Sequence, residues 1–217
     1  NERKNLEELL KRIHKSFKKK NFEVIIVDDD SNDDSKEKLK YLKKNYKKLK
    51  FFIRKQKPRD LSKSCTFGFS KARFQNILVM DGDLQHKPEE INRLYKKFKK
   101  TKSDFVVGTR NLLEKKNEGL GLIRLTTSLI LIFFVNITLG YRTKDPMSGF
   151  FIFKKKIYTK NKKNLFNKGY KILLDLIYSD KKSEVTDISI NFKSRKEGFS
   201  KMSMKVIFLL FLTILQK

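Results

Sequence analysis

Short apolar runs that stop abruptly at aspartates constrain this chain more than any other feature. Residues 22–27 (Phe-Glu-Val-Ile-Ile-Val) run into Asp28-Asp29-Asp30-Ser31, and residues 77–80 (Ile-Leu-Val-Met) run into Asp81-Gly82-Asp83. Runs this short and this rich in β-branched residues are buried strands. Residues 49–53 and 104–107 supply two more, the last closed by Gly108-Thr109-Arg110. Helices separate them. Leu6, Leu9, Leu10, Ile13 and Phe17 recur at helical spacing, a Lys-rich helix carries Leu39 and Leu42, and 61–74 is a helix with small residues on one face. Pro88 opens the next helix at its first turn, with Ile91, Leu94, Tyr95 and Phe98 as the inner stripe. Strands alternating with helices of this length predict an α/β fold with a doubly wound, mostly parallel sheet.

The second half is less regular. An apolar helix over 122–139 precedes a loop Asp145-Pro146-Met147-Ser148-Gly149, a strand at 150–153 and a helix at 171–178. A strand at 185–192 then leads to Arg195 and Lys201. With 217 residues, no internal repeat and no linker composition, the chain is one domain.

Its charge is extreme: 52 Lys and Arg against 24 Asp and Glu give a net +28, which attracts nucleic acid, anionic headgroups or phosphorylated substrates. Lys spread over the outer faces of several helices, without a docking motif, argues against a nucleic-acid binder, the alternative of another class. The single Cys65 excludes a disulfide framework within the chain. The stretch 122–139 is interrupted by Arg124, and 206–215 falls short of the ~20 apolar residues a spanning helix needs. Both stretches suit a membrane surface instead, apolar side down with Lys and Arg at the headgroups.

In open α/β sheets ligands bind beyond the carboxyl ends of the strands, where the two acidic clusters fall. Clustered carboxylates are costly unless a positive group sits among them, and a hard divalent cation such as Mg²⁺ or Mn²⁺ suits oxygen ligands. In Asp81-Gly82-Asp83, two carboxylates flank a residue without a side chain, so a ligand's phosphates can approach the backbone.

Val27-Asp28-Asp29, Val79 to His86, Gly108-Thr109-Arg110, Asp145 to Phe150, Gly169 to Leu173 and Arg195…Gly198…Ser200-Lys201 stand in one collinear order. Together they resemble the polyprenyl-phosphate branch of the family 2 glycosyltransferases, most closely the dolichol-phosphate mannose synthases. The resemblance covers nearly the whole chain and implies a GT-A catalytic domain over 1–202, with an interfacial helix or the start of a membrane segment at 203–217. It implies metal-dependent, inverting transfer of a sugar, mannose from GDP-mannose above all, to a polyprenyl phosphate at the cytoplasmic membrane face. Glu2, Asp28, Asp29, Asp81, Gly82, Asp83, Arg195 and Lys201 would hold the nucleotide sugar, and Asp81, Asp83 and Gln85 the Mg²⁺ or Mn²⁺. Arg110 and Arg124 would bind the acceptor phosphate, making them with Asp83 the catalytic group. A phosphate monoester is already anionic at neutral pH, so positioning and electrostatics suffice.

Other roles stay open. Arg124 either snorkels to a headgroup or binds the lipid phosphate. Asp145 initiates a turn or orients its surroundings, and His86 packs behind the metal ligands. Of the family's first strand only Asn1-Glu2 has a counterpart here. In the family that strand lies between those at 22–27 and 76–80, so supplying an apolar strand upstream is expected to raise stability and activity. Transferases that load glucose or an aminosugar onto bactoprenol phosphate share most of these motifs and are the nearest alternative within the family.

Overall fold

The computed structural model describes residues 2–18, 20–110, 132–133, 135–137, 140–169 and 171–191. In chain order the elements are α1 (Leu6–Ser16), β1 (Val24–Asp28), α2 (Ser35–Asn45), β2 (Leu49–Ile53), α3 (Leu61–Lys71), β3 (Asn76–Val79), α4 (Glu90–Thr101) and β4 (Phe105–Arg110). They continue with β5 (Phe151–Lys154), α5 (Lys155–Asn161), α6 (Ile172–Ser179) and β6 (Val185–Ile190). Two of the boundaries that differ from expectation have a local reason. Gly108-Thr109-Arg110 continues β4 because β6 pairs with it in parallel as far as Arg110↔Ile190. Pro88 precedes α4 in a separate turn, its carbonyl accepting the Ile91 N–H, and helical geometry starts at Glu90.

Strand alternation builds the core. Phe105 and Val107 of β4, with Phe151 and Phe153 of β5, face one cluster; Val106 and Ile152 face the other. The first cluster is closed by Phe69 of α3, Ile157 of α5 and the apolar face of α6, the second by Ile91, Leu94 and Phe98 of α4. Fully burying a Leu or Phe side chain contributes about 1.5–3 kcal/mol, so these two layers dominate stability.

The sheet is in two parts: β1 pairs with β2 in parallel, and the other strands stand in the order β3-β5-β4-β6. β4 and β6 are parallel, whereas β5 runs antiparallel to both its neighbours, so only β5 reverses direction within the larger part. Two helices span both parts. Leu6 and Leu10 of α1 pack with Leu49 and Val24, while Ile13 and, just past the helix, Phe17 pack like Leu78 and Met80 against the cluster closed by α4. On the other face a Cβ built at Gly68 of α3 meets Val27 at 3.3 Å, and neighbouring Phe69 packs into the cluster that includes Ile77 and Val79. Among the described residues neither β1 nor β3 has a strand on its second edge, and Val24 to Val27 and Ile77 to Val79 are only half-buried.

Candidate active site

The antiparallel register of β5 brings the 145–150 loop to the carboxyl end of β3. Val79 pairs with Phe151. Two residues further on, Asp81 therefore falls opposite Gly149. A Cβ built at Gly149 would lie 3.0 Å from the Asp81 carboxyl carbon and closer still to its Oδ2. Glycine here is what lets the carboxylate rest against backbone. At Gly82 the same construction meets only Glu2, at 3.8 Å, so the position with no room for a side chain is Gly149. Its signal in the sequence was the Asp145-to-Phe150 motif, whose contact partner a linear reading does not give.

Asp83 folds the turn after Asp81: its Oδ1 accepts the Gln85 N–H at 3.1 Å, an Asx turn that holds Leu84 in the left-handed region with φ 60°. A branched-chain residue there is uncommon, and such conformations collect at functional sites. Glu2 reaches the same turn beside Gly82, its Oε2 accepting from the Asn5 amide at 2.7 Å. His86 is buried and stacked on Phe150 at 5.2 Å between ring centroids, with Nε2 3.8 Å from Asp81 Oδ2. Burial pushes the imidazole down to about 4 against the pull of Asp83, so His86 is neutral at physiological pH. It packs behind the carboxylates, as expected.

Arg110 ends β4 beside this cluster. Its Nε donates to Asp145 Oδ2 at 2.7 Å and its Nη2 to Oδ1 at 3.0 Å, a bidentate pair in which Asp145 is 1% exposed. Burial alone would lower the guanidinium, but Asp145 and then Asp81 outweigh it and hold it above its ordinary value. Asp145 thus does more than start a turn. The loop itself is fixed to the sheet: Thr143 Oγ1 and the Lys144 N–H donate to Asp187 of β6, and Ser148 Oγ donates to the Gly108 carbonyl at 2.7 Å.

On the other flank Asp28 Oδ1 accepts the Ser31 N–H at 2.7 Å, and Asp29 pairs with Arg54 at 2.6 Å. Sequence reasoning missed Arg54, one basic residue among many; its burial is what marks it. Burial pushes the Cys65 thiol up to about 12, with Asp81 and Asp60 adding to the shift. The structure therefore gathers Glu2, Asp81, Gly82, Asp83, Gln85 and Arg110, with Asp28 and Asp29 alongside. Arg124, Arg195 and Lys201 lie outside the described residues, as does 203–217.

Among the described residues no three His, Cys, Asp or Glu side chains converge to hold a metal by themselves. Asp81, 45% exposed, Asp83 and the Gln85 amide oxygen are donors of the hard type that a divalent ion would take. No described helix is long and apolar enough to cross a membrane.

Acidic strand ends facing an anchored guanidinium, on an α/β sheet with one reversed strand, define a GT-A-type fold. The crystal structure of glucosyl-3-phosphoglycerate synthase from Mycobacterium tuberculosis with Mn²⁺, UDP-glucose and phosphoglyceric acid has the same fold, with TM-score 0.73 over 99% of this chain and 76% of that one, at 15% identity. The family model "Glycosyl transferase family 2" matches residues 1–161. The dolichol-phosphate mannosyltransferase of Pyrococcus furiosus is 35% identical over 96% of this chain, which spans 58% of that protein's length. The Saccharomyces cerevisiae protein of the same name is 31% identical over 87% of this chain and 71% of its own length. The chain belongs to glycosyl transferase family 2.

Proposed function

We propose that this protein transfers a sugar, mannose from GDP-mannose, to a polyprenyl phosphate of the dolichyl type, with inversion at the anomeric carbon. The observation that carries the reading is Arg110 clamped by Asp145 within the field of Asp81. One site then offers a fixed cation to an acceptor phosphate and adjacent carboxylates to a metal-bound donor diphosphate. The names of the Pyrococcus and yeast relatives support the acceptor class and the sugar.

Asp81, Asp83 and Gln85 would hold Mg²⁺ or Mn²⁺, which when bound neutralises the departing nucleoside diphosphate. Asp28, Asp29 and Glu2 hold the rest of the donor, and neutral His86 keeps Asp81 backed by an uncharged ring. Arg110 orients the acceptor phosphate, whose oxygen needs no base to attack. Family resemblance gives Arg124 to the acceptor and Arg195 and Lys201 to the donor phosphates.

Work at the cytoplasmic face of a membrane fits the apolar stretch that holds residues 132–137: Ile132 and Val135 enter the core while Phe133, Ile137 and Tyr141 stay exposed. Exposed apolar residues of this kind suit a bilayer surface. The test offers GDP-mannose, UDP-glucose and other sugar nucleotides with a polyprenyl phosphate and Mg²⁺ or Mn²⁺. Mannolipid formed from GDP-mannose is expected; glucolipid or aminosugar lipid instead moves the protein to the bactoprenol-phosphate type, and transfer from none overturns the reading.

A further inference from the structure

We infer that Arg54 is a positioning residue for the nucleotide donor: from beneath the site it fixes the carboxylate of Asp29 and so sets donor affinity. The inference rests on the donor site proposed above. Arg54 follows β2 directly and is 5% exposed, and its backbone N–H donates to the Asp28 carbonyl at 2.7 Å. Its guanidinium divides its donors between separate elements. Nη2 lies 2.6 Å from Asp29 Oδ1 and donates to the Pro58 carbonyl at 3.0 Å, while Nε donates to Ser64 Oγ of α3 at 3.3 Å.

The second Asp29 oxygen is tied as well, accepting the Asp60 N–H at 2.5 Å. Asp60 in turn accepts the Lys63 N–H at 3.0 Å as the cap of α3 and the Gly169 N–H at 2.7 Å. Asp29 is therefore held through Oδ2 by a hydrogen bond from the cap of α3 and through Oδ1 by its ion pair with Arg54, without a hydrogen bond to Oδ1. Asp29 keeps 22% exposure where Arg54 and Ser64 are buried, so within the ion pair it is the partner nearer solvent.

Stability alone does not account for the arrangement, because a buried ion pair is often no more stable than well-packed apolar residues in its place. What the network does provide is a carboxylate already ordered before the nucleoside arrives, so binding does not have to restrict it. Lysine cannot replace the guanidinium, since a single ammonium cannot reach Asp29, Pro58 and Ser64 in those directions together.

The experiment titrates GDP and UDP, each with Mn²⁺, into wild type, Arg54→Lys, Ser64→Ala, Asp29→Asn and the Arg54→Lys/Asp29→Asn double variant, and measures donor and acceptor KM. Arg54→Lys and Asp29→Asn are each expected to weaken the nucleotide about tenfold and Ser64→Ala about threefold, with acceptor KM unmoved. In the double variant the loss stays near that of Asp29→Asn alone, because the two act through one carboxylate. Nucleotide binding as in wild type by both Arg54→Lys and Ser64→Ala, or losses that add fully in the double variant, would overturn the inference. Ser64→Ala keeps every charge and decides the matter should Arg54→Lys not fold. A wild type that binds neither nucleotide overturns the donor site itself and this inference with it.

Discussion

Replacing Gly149 with alanine would put a methyl group where the Asp81 carboxylate now rests. The new Cβ would lie 3.0 Å from the carboxyl carbon and 3.2 Å from Oδ1. Ordinary carbon contacts begin near ~3.5 Å, so the carboxylate has to retreat by roughly 0.5–1 Å. Gly149 is outside the left-handed region, so alanine adds no backbone strain. Asp81 is 45% exposed and can swing towards solvent, which keeps the cost at the low end of overpacking, about 1 kcal/mol, or roughly 2–4 °C in melting temperature. Catalysis is far less tolerant, because a misplacement of about 1 Å in a positioned group costs on the order of 100-fold. Sugar transfer to polyprenyl phosphate at saturating Mn²⁺, run beside a thermal melt, is therefore expected to fall about 30- to 100-fold in an intact fold. Activity within about threefold of wild type would show that the Gly149 contact does not place Asp81 for catalysis. Gly82→Ala is the contrast: its Cβ meets only Glu2 at 3.8 Å, so the melt should not move, and any lost activity would come from a ligand that needs that space.

Asp145→Asn keeps the shape of the loop but takes the charge from Arg110, and is expected to cost about 3 kcal/mol in denaturant unfolding; unchanged stability would refute the clamp. Tyr178 donates its phenol to the Gly140 carbonyl at 2.8 Å, and burial pushes its pKa up to about 12. The unfolded phenol ionises first, near ~10, so folded stability should fall by roughly 2–3 kcal/mol as pH rises from about 10 to 12 and be untouched below. Tyr178→Phe should flatten that slope, and an identical slope in both proteins would exclude Tyr178 as its source. An apolar strand supplied upstream of residue 1 is expected to pair with the edges of β1 and β3 that no strand covers among the described residues, and to raise both melting temperature and turnover. Equal values for both lengths would refute it.

What the sequence disclosed were features carried by local pattern. Leu6, Leu10, Ile13 and Phe17 announced α1, and the apolar runs before Asp28 and Asp81 announced β1 and β3, because period and strand-end chemistry are written in neighbouring residues. The reversal of β5 was not written there. A four-residue apolar run is the same whether its neighbour is parallel or antiparallel, yet that direction is what sets Gly149 against Asp81. Arg54 was hidden for a different reason: among 52 basic residues, only burial and partners separate one from the rest.

These two omissions revise the electrostatics of the site. Clustered carboxylates had pointed to a divalent ion as the group that makes them affordable, but the fold already supplies part of that compensation. Arg54 after β2 pairs with Asp29, and Arg110 at the end of β4 pairs with Asp145 within the field of Asp81. In chain order acidic and basic strand ends thus alternate from β1 to β4, and each guanidinium is held by a carboxylate of the protein. On the proposed function such a site keeps its carboxylates in place before metal or donor arrives, so metal should tighten donor binding without being needed to fold the chain. A guanidinium pinned by a buried carboxylate also cannot follow a misplaced phosphate. Geometry, more than the overall charge of +28, therefore has to select the acceptor, because that charge attracts every anion alike.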